Sequence, residues 1–250
     1  MSRIRLIVRS WRQELRWRLK KRSWESVKSM SGYKNIHCGE RCFIIGNGPS
    51  LRKMDLYPLK NEYTFGLNRI YLLFPELGFQ TSYYVCVNPL VIEQFADEIA
   101  VLNLTQFLTD KGLNSAFFSS KTMFLHSRPG LKFSKKPQFY IYEGATVTYV
   151  AMQLAFYMGF KEVILIGVDH NFQTVGDPHT AITSNGADPN HFSPNYFGKG
   201  VRWHLPDLQT SEMAYKLARD TFINANRSIV DATVGGKLTV FPKVEFNDLF

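Results

Sequence analysis

Residues 144–169 read GATVTYVAMQLAFYMGFKEVILIGVD, and this stretch decides the fold class. From Thr146 to Met158 the side chains are apolar on nearly every side, no proline interrupts them, and Gly159 follows. That is a buried helix with a glycine C-cap. The run KEVILIG at 161–167 comes next, short, rich in β-branched residues and closed by glycine. Those features read as a strand buried on both faces. A helix apolar nearly all round, feeding such a strand, is half of a βαβ crossover in a sheet covered on both sides.

Working outward, RCFIIG at 41–46, YTFGL at 63–67 and YYVCV at 83–87 are similar apolar runs. The latter two end at Asn68 and Asn88. Residues 47–50 read as a turn, 51–56 as a short helix, and 89–100 as a helix with Pro89 in its tolerated first turn. Residues 121–126 and 138–142 read as strands, 208–224 as a polar helix, and 228–232 with 237–241 as a closing strand pair. From His170 to Pro206 there is no periodicity, only Gly, Pro, Asn, Asp and His interspersed with aromatics. A run this long inside a compact domain is a lid or binding loop. The expected fold is α/β and Rossmann-like: a mostly parallel sheet with helices on both faces, a long loop insertion and an N-terminal amphipathic helix.

The 250-residue chain is 45% hydrophobic and 20% charged, the profile of one large domain able to bury a core without staples. Cys38, Cys42 and Cys86 are an odd number, so no disulfide framework is implied, which fits a reducing compartment. Cys38 and Cys42 stand in C-x-x-x-C, without the partners of a zinc site.

The net charge of +9 is not spread over the chain. Residues 1–30 hold ten Lys/Arg and two Glu, a net of +8, leaving 20 basic and 19 acidic groups, a net of +1, for the rest. A nucleic-acid enzyme spreads its basic patch over the folded surface, so no nucleic acid is expected as partner. Residues 1–30 lack Pro and Gly, and on a helix Ile4, Ile7, Val8, Trp11, Leu15 and Leu19 share one face, with Trp17 and Trp24 off it. With no long uncharged core, this is neither a secretory signal nor a membrane span. An Arg-rich, Trp-bearing amphipathic helix suits an anionic membrane surface. Packing on the chain's own domain, on a second subunit, or a role as a transit peptide are the alternatives. The expected domain organisation is a basic helix over 1–30 and a single Rossmann-like domain over 31–250.

Several residues can carry chemistry. Gly46-Asn47-Gly48-Pro49-Ser50 follows a strand, and glycines there let backbone N–H groups approach a phosphate. The loop is neither G-x-G-x-x-G nor a Walker motif, and on spacing alone it is also a plain tight turn. Asn68 and Asn88 sit at strand ends, where open α/β sheets bind ligands; with Asn47 they are suited to reading a base and ribose, or to capping the next helix. Asp169 follows the strongest strand and suits a ribose, a metal or a backbone turn. His170, His191 and His204 in the loop region can accept a proton near neutral pH, and Tyr196 stands among them.

The order IIGNGPSL, an Asn-ended strand, V-N-P, a Gly-small-Thr helix start and GVDHNF resembles the MptE-like family over residues 36–246. That family includes archaeal 6-hydroxymethylpterin diphosphokinases and bacterial members found with surface-polysaccharide genes. The segments DPNHFSPNYFGKG and ATVGGKLTVFPKVEF look like the latter. A more distant similarity is to family 42 bacterial sialyltransferases, which share the G-N-G-P-S-L loop. There the loop and strand-end asparagines bind a CMP-sugar donor, which implies donor contacts at Asn47, Ser50, Asn68 and Asn88. That family's later motifs are similar to Gly144-Ala145-Thr146 and Gly167-Val168-Asp169. Its base is a late-loop histidine, matched by order and spacing at His204, with His191 and His170 as further candidates. Its phosphate-holding tyrosines fall where His170 and Asn171 stand here, so Tyr196 or His191 would substitute.

The resemblance implies a glycosyltransferase using a nucleotide-activated, CMP-linked sugar, with no required cofactor. Its acceptor would be a glycan or lipid-linked glycan at the inner face of the cytoplasmic membrane. The rival is an ATP-dependent pyrophosphokinase acting on a pterin-like alcohol, with Mg²⁺ held by Asp169, Asp177 and Asp188. A third reading is a non-catalytic binding protein of envelope assembly.

Overall fold

The computed structural model describes residues 14, 15, 17–110, 119–174 and 176–250. Its strands are β1 (Arg41–Ile45), β2 (Tyr63–Leu67), β3 (Tyr83–Cys86), β4 (Thr105–Thr109), β5 (Thr122–Leu125), β6 (Glu162–Ile166), β7 (Ala181–Thr183), β8 (Arg202–His204) and β9 (Ser228–Asp231). Its helices are α1 (Lys21–Ser31), α2 (Phe74–Leu77), α3 (Pro89–Gln94), α4 (Ala96–Ala100), α5 (Val147–Met158) and α6 (Leu208–Ile223). Seven strands form one sheet in the order β5-β4-β3-β2-β1-β6-β9, and every pair is parallel. β7 and β8 make a separate antiparallel ribbon.

The buried runs explain themselves by side. Cys42 and Ile44 of β1 pack into a core with α5, α6 and the end of α1, while Phe43 and Ile45 pack into a second core with α3, α4 and the loop aromatics. A strand buried on both faces has no polar alternation, which is why 41–45 and 162–166 read as continuous apolar runs. Thr146 caps α5 by accepting from Thr148 N at 3.3 Å, and Gly159 ends it at φ +98°. β1 lies between β2 and β6, so the sheet order reverses there and a crevice opens beyond the carboxyl ends of these strands.

Several expected elements differ. Residues 51–56 are not an α-helix; 3₁₀ turns run over Pro49–Lys53 and Tyr57–Asn61, each opened by a proline that supplies no N–H. The helix expected over 89–100 breaks at Phe95 into α3 and α4. TQFLT at 105–109 is a core strand that its buried glutamine disguised; Gln106 Nε2 donates to the carbonyls of Ile99 and Leu102. Of 138–142, only Ile141 pairs, in a single bridge to Ser127. Residues 237–241 are not a strand: Leu238, Val240 and Phe241 are core plugs, and Lys243 makes the bridge to Asp231.

The N-terminal segment is tied to the domain. Ile4, Ile7, Val8 and Trp11 lie outside the described residues. Leu15 and Leu19, expected on the apolar stripe, are 59% and 77% exposed, while the off-stripe Trp17 is buried and stacks on His126 at 5.3 Å. α1 covers the edge strand β5: Phe124 N donates to Ser26 Oγ at 2.9 Å, and the Tyr157 hydroxyl donates to Met30 O at 3.2 Å. A serine thus satisfies an edge amide that no strand reaches.

Candidate active site

The crevice beyond the strand ends encloses about 450 Å³, a size that suits a small-molecule ligand. Gly46, Asn47, Gly48, Asn68, Asn88, Thr146, Asp169, His170, His191 and His204 all line it, so ten of the residues picked from sequence converge there. Pro49, Ser50, Gly144 and Tyr196 do not line it.

The glycine loop is built against the loop after β6. Gly46 N donates to Ile166 O and Gly48 N to Gly167 O, both at 2.8 Å. A Cβ at position 46 would stand 2.3 Å from Gly167 O, and one at position 48 would stand 1.8 Å from Asp169 Oδ2. Only glycine permits both approaches. Asp169 is committed to this loop: Oδ1 accepts from Ser50 N at 3.0 Å and Oδ2 from Ser50 Oγ at 2.6 Å. Burial raises its carboxyl above the usual range, while the bonds from Ser50 pull the other way. Asp169 and Ser50 therefore hold each other and shape the loop. Replacing Gly48 with alanine should displace the loop and lower stability by about 1–3 kcal/mol, as read by thermal unfolding.

The asparagines divide their work. Asn88 Oδ1 caps α3 by accepting from Leu90 N at 3.0 Å. Asn68 takes φ +48°, which asparagine tolerates, and its Oδ1, like that of Asn47, is buried with no hydrogen-bond partner. A buried, unpaired acceptor costs about 1–3 kcal/mol, so two at one crevice suit the N–H or O–H donors of a ligand. The first turns of α5 and α6 also open there, through Thr146–Thr148 and Asp207–Leu208. The positive end of α5 favours an anion, whereas that of α6 already holds the Asp207 carboxylate, which accepts from Thr210 N at 2.9 Å.

His191 is the best-oriented histidine. Its Nδ1 lies 2.7 Å from Asp188 Oδ2, and that carboxylate also accepts from Phe197 N at 3.1 Å and, through Oδ1, from Asn190 N at 2.8 Å. A carboxylate there requires the proton on Nδ1, which leaves the lone pair of the neutral ring on Nε2. The ring stacks on Tyr196 at 4.0 Å and 6° and meets Phe197 edge-on at 5.1 Å. His170 forms a second pair, Nε2 to Glu212 Oε1 at 2.9 Å. His204 is exposed at the end of β8 and has no orienting carboxylate among the described residues.

Tyr196, expected to reach a donor phosphate, is instead a floor beneath His191: it is fully buried, and its hydroxyl accepts from Arg69 N at 3.3 Å. The three aspartates expected to hold Mg²⁺ do not meet. Asp169 and Asp188 are engaged as described, Asp177 is exposed, and among the described residues no group of three or more His, Cys, Asp or Glu side chains has an arrangement that could hold a metal ion. Among the described residues, these three aspartates do not come together as a Mg²⁺ site.

Sequence reasoning missed Arg69. It is buried, lies 3.6 Å over the Phe95 ring, and donates to Tyr196 O, to Asn195 O at 3.0 Å and to Glu98 at 3.1 Å. Phe192 N also donates to Asn47 O at 2.9 Å, so the loop bearing His191 is fastened to β1 and β2. His179, Asn190, Trp203 and Tyr215 line the crevice as well. Among the described residues, no Lys or Arg lines it.

Residues 18–175 match the family model described as 6-hydroxymethylpterin diphosphokinase MptE-like. No curated protein matches the chain. The solved MAf glycosyltransferase from Magnetospirillum magneticum AMB-1 aligns with 90% of this chain at 16% identity and TM-score 0.47. The chain covers 39% of that protein, about two fifths of its length. A mammalian sialyltransferase in complex with Gal-beta-1-3GalNAc-ortho-nitrophenol aligns over 91% of this chain and 86% of its own at 11% identity and TM-score 0.38.

Proposed function

The chain belongs to the MptE-like family, and on that premise we propose that it is a glycosyltransferase acting on a nucleotide-activated, CMP-linked acidic sugar. The observation that carries this reading is the Asp188–His191 pair at a crevice that, among the described residues, no Lys or Arg lines. A donor with a single bridging phosphate can be handled by the start of α5 and by neutral amides. Adenosine triphosphate brings several more negative charges, which phosphoryl-transfer sites neutralise with cationic side chains and Mg²⁺.

In the proposed reaction, His191 Nε2 removes the proton from an acceptor hydroxyl. That oxygen bonds to the anomeric carbon as the bond from sugar to phosphate oxygen breaks, and the electron pair leaves with CMP. Asp188 holds the ring and stabilises the imidazolium that forms. Asn47, Asn68 and Asn88 take the nucleoside. His170, steadied by Glu212, and His204 are the other candidate bases, each less directly oriented. The basic N-terminal segment keeps the enzyme at the inner face of the cytoplasmic membrane, beside lipid-linked acceptors. No helix among the described residues is long and apolar enough to cross a membrane.

The family description favours the diphosphokinase as the second reading. The two part in a thermal-unfolding series with CMP, CDP, UDP, GDP and ATP, each with and without Mg²⁺. A ligand at 100 times its Kd stabilises a fold by about 2.7 kcal/mol, a readable shift. The expected result is a Mg²⁺-independent shift with CMP; a shift with ATP and Mg²⁺ alone supports the diphosphokinase.

A further inference from the structure

We infer that the loop at residues 128–139 forms the second half of a membrane-docking surface whose first half is the N-terminal segment, and that together they hold the crevice mouth against an anionic bilayer. The membrane partner of that segment belongs to the proposed function; the loop and the orientation it imposes do not.

The two segments are joined by contacts. Glu14 pairs with Arg18 at 3.1 Å and with Arg128 at 2.9 Å. The Arg128 guanidinium lies 4.0 Å over the Tyr140 ring, and Phe139 N donates to Lys136 O at 3.0 Å. The loop's main chain is pinned from behind: the Tyr149 hydroxyl donates to Lys132 O at 2.9 Å, and Ser134 N donates to Gln153 Oε1 at 3.1 Å. With the backbone held inward, Lys132, Lys135 and Lys136 are exposed.

The surface has the composition that a lipid headgroup layer attracts. Residues 14–31 and 128–139 together hold ten Lys/Arg and two Glu. Both glutamates are engaged by bases, Glu25 by Lys21 at 3.7 Å. Among these charges, Leu15, Leu19, Trp24 and Phe139 stand 59%, 77%, 70% and 48% exposed. Basic side chains around apolar and indole groups fit an anionic interface, where lysines stay in the headgroups and apolar tips enter below.

Placement supplies the orientation. Tyr140, under Arg128, is three residues from Glu143, which lines the crevice, and three residues span at most about 10 Å. A bilayer on this surface therefore borders the crevice mouth, which suits an acceptor hydroxyl carried on a membrane lipid.

The test uses the full chain and sedimentation with phosphatidylcholine vesicles, with or without phosphatidylglycerol. The wild-type protein should bind the anionic vesicles and release in high salt. The combined substitutions Lys132→Glu, Lys135→Glu and Lys136→Glu should weaken binding by about 100-fold or more. The unfolding midpoint and the nucleotide-induced shift of that variant should match the wild type. Wild-type-like vesicle binding by the variant would overturn the loop's role, as would equal wild-type binding to neutral and anionic vesicles or to neither. If CMP produces no shift in either protein, the donor reading fails while the docking result stands.

Discussion

Replacing His191 with alanine is expected to lower turnover by roughly 10²–10⁴-fold while leaving the nucleotide-induced stabilisation in place. Asp188 lies at the floor of the loop with both oxygens accepting from backbone N–H groups, and as a carboxylate it can pair only with the Nδ1–H tautomer of His191. A base so fixed needs no rearrangement when the acceptor arrives. Asp188→Asn should also cost turnover, because an amide can present N–H to Nδ1 and shift the proton to Nε2, leaving the wrong tautomer. His191→Gln keeps a polar side chain over Tyr196 and separates lost chemistry from lost packing. His204→Ala should have a smaller effect, since no carboxylate among the described residues orients that ring. If His204→Ala abolishes turnover and His191→Gln does not, the two roles are reversed.

The second large effect concerns Arg69. Arg69→Met keeps much of the aliphatic volume but strips its partners from the Asn195 and Tyr196 carbonyls. Glu98 is 45% exposed and can return to water; the carbonyl of the buried Tyr196 has less access to it. The expected cost is about 2–4 kcal/mol, below that of breaking a fully buried pair because one end is solvated. Its signature is selective. The loop bearing His191 should become protease-sensitive and turnover should fall, while any nucleotide-induced stabilisation is weakened less. Equal loss of loop protection and of core protection in hydrogen exchange would instead mark Arg69 as a general fold residue.

What the chain discloses before folding follows from how local each signal is. β1, β2, β6 and α5 were readable because burial on both faces leaves an uninterrupted apolar run and because Thr146 and Gly159 mark the helix ends. β4 was hidden by Gln106, a buried polar residue whose Nε2 donates to the Ile99 and Leu102 carbonyls while its Oε1 is left without a partner among the described residues. The crevice was legible in Gly46–Gly48, Asn68 and Asn88, since strand-end positions follow from strand order. The partners of Asp169, Asp188 and Arg69 lie 119, 3 and up to 127 residues away, and only the pair within Asp188–His191 was within reach of sequence spacing. Tyr196, expected to hold a donor phosphate, is the floor on which His191 rests, because the loop folds into an aromatic cluster of its own. Trp17 likewise lies off the apolar stripe yet is the residue that docks the N-terminal segment.

The central claim is that Asp188–His191 deprotonates an acceptor for a CMP-activated sugar. The most direct measurement is release of CMP from a CMP-linked acidic sugar in chelator-treated buffer, by the wild-type protein and by His191→Ala. The account predicts acceptor-dependent CMP release by the wild type, unaffected by chelation and reduced at least about 100-fold in the variant. Formation of AMP from ATP with a pterin-like alcohol and Mg²⁺, with no CMP release from any donor, would contradict it.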